Sequence, residues 1–161
     1  KARQLASNKP IKVACSILTS DPYTERDLTM PDVNTLTKNA AKQAYEKAGL
    51  GPKDLDLVEL HDCFATAELL HYENLGLCGE GEAGQMIDEG RTSIGGDIPV
   101  NASGGLLSKG HPLGATGVAN IYEVVTHLRG QAGGRQVEGA KVGMAHVIGL
   151  GSACTIHILT A

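Results

Sequence analysis

The stretch "ASGGLLSKGHPLGATG", residues 102–117, has five glycines and one proline in sixteen positions and runs straight into a helical pattern. From Ala115 onward, Val118, Ile121, Tyr122, Val125 and Leu128 recur at i, i+3, i+4, i+7 spacing up to Gly130, which predicts an amphipathic helix. The glycines let the backbone come close to a ligand without Cβ clashes, and Pro112 restrains His111 toward an extended conformation. An imidazole held in an open cradle results. The helix that follows offers unpaired N–H groups and positive potential at its start, suited to a developing oxyanion or a thiolate.

The rest of the chain supplies strands and helices to carry this loop. "IKVACSIL" (11–18) alternates Ile11, Val13, Cys15 and Ile17 against Lys12, Ala14 and Ser16, the two-residue period of a strand. After a polar stretch with Pro22 and Pro31, "NTLTKNAAKQAYEKAGL" turns helical: Ala41, Ala44, Tyr45 and Ala48 share a face, Asn34 caps the start and Gly49 fits the stop. "LDLVEL" (55–60) is a dense apolar run of the interior-strand type, and "CFATAELLHYENLGL" is helical after it, with Leu69 and Tyr72 on one side. The acidic, glycine-bearing "CGEGEAGQMIDEG" reads as a surface loop and "IPVN" as a brief strand. "AKVGMAHVI" and "ACTIHIL" read as two strands joined by a "GLGS" hairpin turn. The expectation is an α/β half-domain with a mixed five-stranded sheet, helices on both faces and no internal repeat, one unit over residues 1–161.

Composition narrows the function classes. A chain of 161 residues that is 42% hydrophobic suits one domain with a sizeable core. A net charge of −4, with both signs spread along the chain, provides no basic surface for nucleic acid or anionic membranes. No apolar run approaches the roughly 20 residues that span a bilayer, and "KARQLASNKP" lacks the apolar core of a secretory signal, so a soluble chain is expected. Cys15, Cys63, Cys78 and Cys154 lie far apart without C-x-x-C pairing, which predicts a reduced, intracellular setting.

Two segments carry candidate chemistry. His61, Asp62 and Cys63 follow the strand "LDLVEL", at the strand end where α/β sheets place ligand chemistry. Imidazole titrates near ~6.5 and thiol near ~8.5, so either can act as acid or base. The alternative is that Cys63 is a small buried hydrophobe and His61 bonds a loop. His111 in "GHPLGATG" is the second candidate. "GLLSKG" (105–110) has the glycine spacing of a phosphate loop, but His111 and Pro112 stand where Lys and Ser/Thr are required. His61, Cys63, His71 and Cys78 have the right types for zinc, yet H-x-C-x7-H-x6-C lacks paired short knuckles, and no metal is expected. Cys15 and Cys154 alternate with apolar residues as core thiols, and Cys78 ends a helix. His71, His127 and His157 read as solvent-facing or satisfied buried histidines; His146, just before "GLGS", is left open.

Taken together, "HDCF" (61–64), "NASGGLLSKGHPLGATG" (101–117) and "GLGS" (149–152) resemble the C-terminal half of a thiolase, in this order and over nearly the whole chain. The HDCF form is similar to thiolases of the sterol carrier protein X type, the SCP2-thiolases. The resemblance implies a five-layer αβαβα enzyme of two similar halves, of which this is the second. A cysteine of the first half would attack a 3-ketoacyl-CoA, and the acyl-enzyme would pass to coenzyme A, a co-substrate with no bound cofactor. By the same resemblance His111 activates that cysteine, and His61 replaces the asparagine of the NEAF loop as oxyanion donor, worth about 3 kcal/mol. The N–H of Gly151 serves a second oxyanion site. Where most thiolases carry an acid/base cysteine in the last turn, this chain has Gly149, with Cys154 out of register; Cys63 is the implied replacement.

The resemblance also implies an acyl-CoA substrate, an N-terminal thiolase half as partner and a homodimer in the full enzyme, which acts in lipid metabolism and fatty acid β-oxidation. Two alternatives stand beside it: a thiolase-like aldolase acting on side-chain acyl-CoA with a partner protein, and a noncatalytic acyl-CoA or lipid-binding module. The ending "ILTA" lacks an SKL-like signal, which points to the cytoplasm over the peroxisome.

Overall fold

The computed structural model describes residues 4, 7–20, 32–149 and 153–161, with side chains from residue 35 onward in the helix that begins at residue 32. The polar stretch with Pro22 and Pro31 and residues 150–152 of the "GLGS" turn fall outside what is described, and Asn34, expected as a helix cap, lies within the helix, which already includes Asp32. In chain order the elements are strand β1 (Lys12–Ser20), helix α1 (Asp32–Ala48), β2 (Leu57–Glu59), α2 (Ala65–Asn74), α3 (Ala83–Asp88), α4 (Gly105–Lys109), α5 (Thr116–Leu128), β3 (Val142–Gly149) and β4 (Ala153–Thr160). None of the described helices is long and apolar enough to cross a membrane.

The sheet order is β1-β4-β3-β2. β1 and β3 flank β4 antiparallel, and β2 runs parallel to β3 with Leu57 opposite Gly143 and Glu59 opposite Ala145. The sheet is mixed, as expected, but has four strands among the described residues where five were expected. "IPVN" reaches the sheet edge only through a single bridge between Val58 and Val100. Pro99 offers its carbonyl to the Val58 N–H (3.0 Å) and has no N–H of its own to give. Asn101, after donating to the Val58 carbonyl at 2.8 Å, takes φ 49° and leaves the extended region.

Side-chain alternation on the central strands sends residues to two cores. Met144, Ile148, Cys154, Ile156 and Ile158 join Cys15 beneath the small-residue face of α1, formed by Leu36, Ala40, Ala41 and Ala44. Leu57, Ala145 and Leu159 lie on the opposite face beneath Val124 and Leu128 of α5. Helices therefore cover both faces. The acidic segment expected to be a surface loop contains α3, because Ala83 and Met86, three residues apart, both bury into the α1-side core. Its polar composition hid a one-sided anchor. The loop of 102–117 likewise contains the one-turn α4.

Gly143 sets how closely α5 approaches the sheet. A Cβ there would stand 2.6 Å from Val124 Cγ1 and 3.0 Å from Leu57 Cδ2, both in a packed core. We expect Gly143→Ala to destabilise the fold by roughly 1–3 kcal/mol through overpacking, read as a lower urea midpoint at unchanged m-value. An unchanged midpoint would show that α5 can shift without cost.

Four imidazoles, those of His61, His71, His127 and His146, are buried. Burial first, and His61 second, push the His71 ring down to about 4, and burial likewise lowers His127 and His146. Unfolded imidazoles take up protons near ~6.5 while these stay neutral in the fold, so the unfolded state binds more protons below that pH. Stability is therefore expected to hold above pH ~6.5 and to fall as the pH drops toward 4, followed by urea titrations across that range.

Candidate active site

The site is built where β2 ends. Leu60 is buried, and its N–H donates to Asn101 Oδ1 at 2.8 Å, which ties the strand end to the start of the glycine-rich segment. His61 and Asp62 follow, both buried; Cys63 is half-buried, and the exposed Phe64 precedes the first residue of α2. The free thiol of Cys63 thus sits between a buried loop and an exposed helix start.

Asp62 has a structural task. Its Oδ1 accepts the Leu106 N–H at 2.7 Å and its Oδ2 the Leu107 N–H at 3.4 Å, which satisfies two orphan donors in the first turn of α4. Gly105 makes this possible: it lies at φ +61°, and a Cβ on it would overlap the Asp62 carboxylate. The side chain beside His61 is a helix cap reaching across from another segment, and "HDCF" is thereby locked against the loop leading to His111.

Glu59 makes a second tie. Its buried carboxylate accepts the Ser103 N–H (3.0 Å) and hydroxyl (2.5 Å), and Lys109 Nζ lies 3.9 Å away and donates to Ser103 Oγ at 2.5 Å. Burial pushes this carboxyl above its ordinary range, while the Ser103 hydrogen bonds and Lys109 pull it back. Sequence reasoning passed over this group. The signal available was an acidic residue inside an otherwise apolar strand run, which requires a buried partner.

His111 is half-buried, with Nδ1 2.7 Å from the hydroxyl of Thr116 at the start of α5. That hydroxyl donates to the Pro112 carbonyl at 3.3 Å. A hydroxyl hydrogen committed to the Pro112 carbonyl would leave Nδ1 to carry the ring proton and Nε2 as the basic nitrogen. The His61 and His111 rings meet edge to face, with centroids 4.8 Å apart and planes at 87°. Burial first, then the neighbouring His111, lower the His61 pKa, against an opposing pull from Asp62. A neutral His61 offers one N–H donor beside a second imidazole that can act as base. Its Nδ1 is buried without a hydrogen-bond partner among the described residues.

Thus two expected site residues, from segments fifty residues apart in the chain, come into direct contact, with Cys63 two residues from His61. Gly151 lies outside the described residues. Cys154 is a core residue of β4, opposite Ile148, and burial pushes its thiol up to about 12, which disfavours its ionisation near neutral pH. Cys15 is buried too, as expected. His127 satisfies its Nδ1 with the Val137 N–H at 3.1 Å. Among the described residues no group of three or more His, Cys, Asp or Glu side chains is arranged to hold a metal ion. His146, left open by its sequence position, lies directly behind His61 and accepts its backbone N–H.

The chain is similar to known proteins over most of its length. The family model "Thiolase C-terminal domain-like" matches residues 21–161. Sterol carrier protein 2 of Rattus norvegicus is 56% identical over 123 residues, 76% of this chain and 22% of that protein. Acetyl-CoA acetyltransferase of Methanothermobacter thermautotrophicus is 52% identical over 139 residues, 86% of this chain and 36% of that protein. Benzoylsuccinyl-CoA thiolase subunit BbsB of Thauera aromatica is 46% identical over 152 residues, 92% of this chain and 39% of the subunit. Among solved structures, the Ltp2-ChsH2(DUF35) aldolase superposes with a TM-score of 0.81 at 26% identity, over 98% of this chain and 41% of that one. Human mitochondrial 3-ketoacyl-CoA thiolase superposes at 0.65 and 23% identity, over 94% and 30%, and shares the fold. The chain spans less than two fifths of the length of each of these curated relatives. On its sequence, its fold and the match over residues 21–161, the chain belongs to the thiolase family, to whose C-terminal domain it corresponds.

Proposed function

We propose that these residues form the second half of a 3-ketoacyl-CoA thiolase of the sterol carrier protein X type, which moves an acyl group to coenzyme A by Claisen cleavage and needs a first half to work. The observation that carries this reading is the edge-to-face contact of His61 and His111 at 4.8 Å. A base and a neutral N–H donor side by side suit a reaction in which a thiol must be deprotonated and a thioester oxygen must take up negative charge.

In this reading the first half supplies a nucleophilic cysteine. His111 Nε2 takes its proton, and the thiolate adds to the keto carbon of the 3-ketoacyl-CoA. The bond to the α-carbon breaks, the departing acetyl-CoA carbanion receives a proton from the Cys63 thiol, and the acyl group stays on the nucleophile. Coenzyme A then takes the acyl group as its thiol proton passes to the site. His61 donates to the oxyanion, and Gly151 N–H serves the second such position. The exposed apolar residues Leu113, Val118 and Tyr122, at 80%, 70% and 65%, lie next to His111 and along α5, which supports a covering partner on this side. The second reading, retro-aldol cleavage of an acyl-CoA with a separate partner protein, is favoured by the likeness to the Ltp2-ChsH2(DUF35) aldolase at a TM-score of 0.81.

The isolated chain is expected to show no thiolysis of 3-ketoacyl-CoA, and addition of a first half, fused or separate, to restore it; products are identified by mass spectrometry. Thiolysis by the chain alone would sink the two-half reading, and aldehyde or ketone release without coenzyme A consumption would favour the aldolase.

In the completed enzyme, His111→Ala should lower kcat by about 10²–10⁴-fold and His61→Ala by about 10²–10³-fold. Cys63→Ser should abolish most turnover; full activity in that variant would remove Cys63 from the chemistry and favour a binding role for the domain.

A further inference from the structure

His146 is a buried titratable group that the proposed chemistry does not use. It lies in β3 opposite Ile156 of β4 and is 0% exposed. Its Nδ1 accepts the backbone N–H of His61 at 3.4 Å. Its backbone carbonyl accepts Asn120 Nδ2 at 3.3 Å, and Asn120 is itself buried in α5, the helix whose first residue, Thr116, meets His111. Its ring meets His71 of α2 edge to face at 4.5 Å. One residue therefore touches the His61 segment, the helix that supports His111, and α2.

Local packing alone would favour an aliphatic side chain here, since Met144 and Ile148 at the neighbouring same-face positions of β3 are apolar and a buried imidazole costs desolvation. What the imidazole adds is an acceptor for a main-chain N–H that sits just past the end of β2, where the sheet no longer provides one. Because Nδ1 accepts, the ring is neutral and carries its proton on Nε2. We propose that His146 is a positioning residue: its Nδ1 holds the His61 main chain at the depth and orientation at which the His61 ring meets His111. This rests on the reading of His61 as oxyanion donor.

The test uses the completed two-half enzyme. His146→Leu removes the acceptor while keeping bulk, and His146→Asn puts an amide oxygen near the place of Nδ1. A displaced donor should lower kcat by about 10²-fold in His146→Leu with the KM for acyl-CoA within about twofold, and His146→Asn should recover most of the loss. Hydrogen exchange at the His61 amide should speed up in His146→Leu and stay near wild type in His146→Asn. A purely structural role would lower Tm in both variants and leave kcat of the folded enzyme and His61 exchange unmoved; that result overturns the proposal. If His61→Ala keeps full turnover, the donor reading of His61 falls, and the exchange measurement alone decides whether His146 holds its main chain.

Discussion

Strand β3 is hydrogen-bonded along both edges and covered on both faces, and the other elements take their places from it. It pairs with β4 over its whole length and with β2 over three residues, so the hairpin brings β1 in beyond β4 while β2 is aligned in parallel on the other side. Met144 and Ile148 then join the core on the α1 side of the sheet and Ala145 the core beneath α5. Because the parallel pairing stops at Glu59, the chain that follows must find its hydrogen bonds elsewhere. It finds them in side chains: Asn101 takes the Leu60 N–H and His146 takes that of His61.

The region between the strand end and the glycine-rich segment is held by polar groups that would be costly if unpaired. Two buried carboxylates, Glu59 and Asp62, both reach across to residues 103–107. Each satisfies backbone N–H groups of an irregular stretch that cannot satisfy itself, so the site is stiffened by charge-assisted hydrogen bonds where there is no regular ladder. The result is a contact between two imidazoles from distant segments without a covalent or metal link among the described residues.

Much of the architecture was legible in the sequence because period carries it. The alternation in 11–18, the strand-like runs of 140–148 and 153–159 and the helical pattern from Ala115 to Gly130 each meet an observed element, but Val118 and Tyr122 of the expected apolar stripe are exposed, and α5 buries Thr116, Asn120, Val124, His127 and Leu128 instead. What failed were short elements whose identity depends on partners. Residues 98–100 make one bridge where a strand was expected, since Pro99 and Asn101 end the pairing. The helices α3 and α4 have five or six residues each and exist because Met86 finds a core and Asp62 supplies a cap, and neither fact can be read from the local string.

The sequence by itself determined the residue types of the site: an imidazole fixed by Pro112 in a glycine cradle, and an imidazole and thiol just after a buried strand. It could not assign Asp62, whose partners lie more than forty residues away in the chain, nor tell His146 from an incidental core histidine. Those assignments are tertiary because hydrogen bonds are met by whichever group the fold brings within about 3 Å, whereas periodicity reports only which face is buried. Only the folded chain decided that His61 and His111 touch, that Asp62 is a cap, and that a buried ring stands behind the His61 main chain.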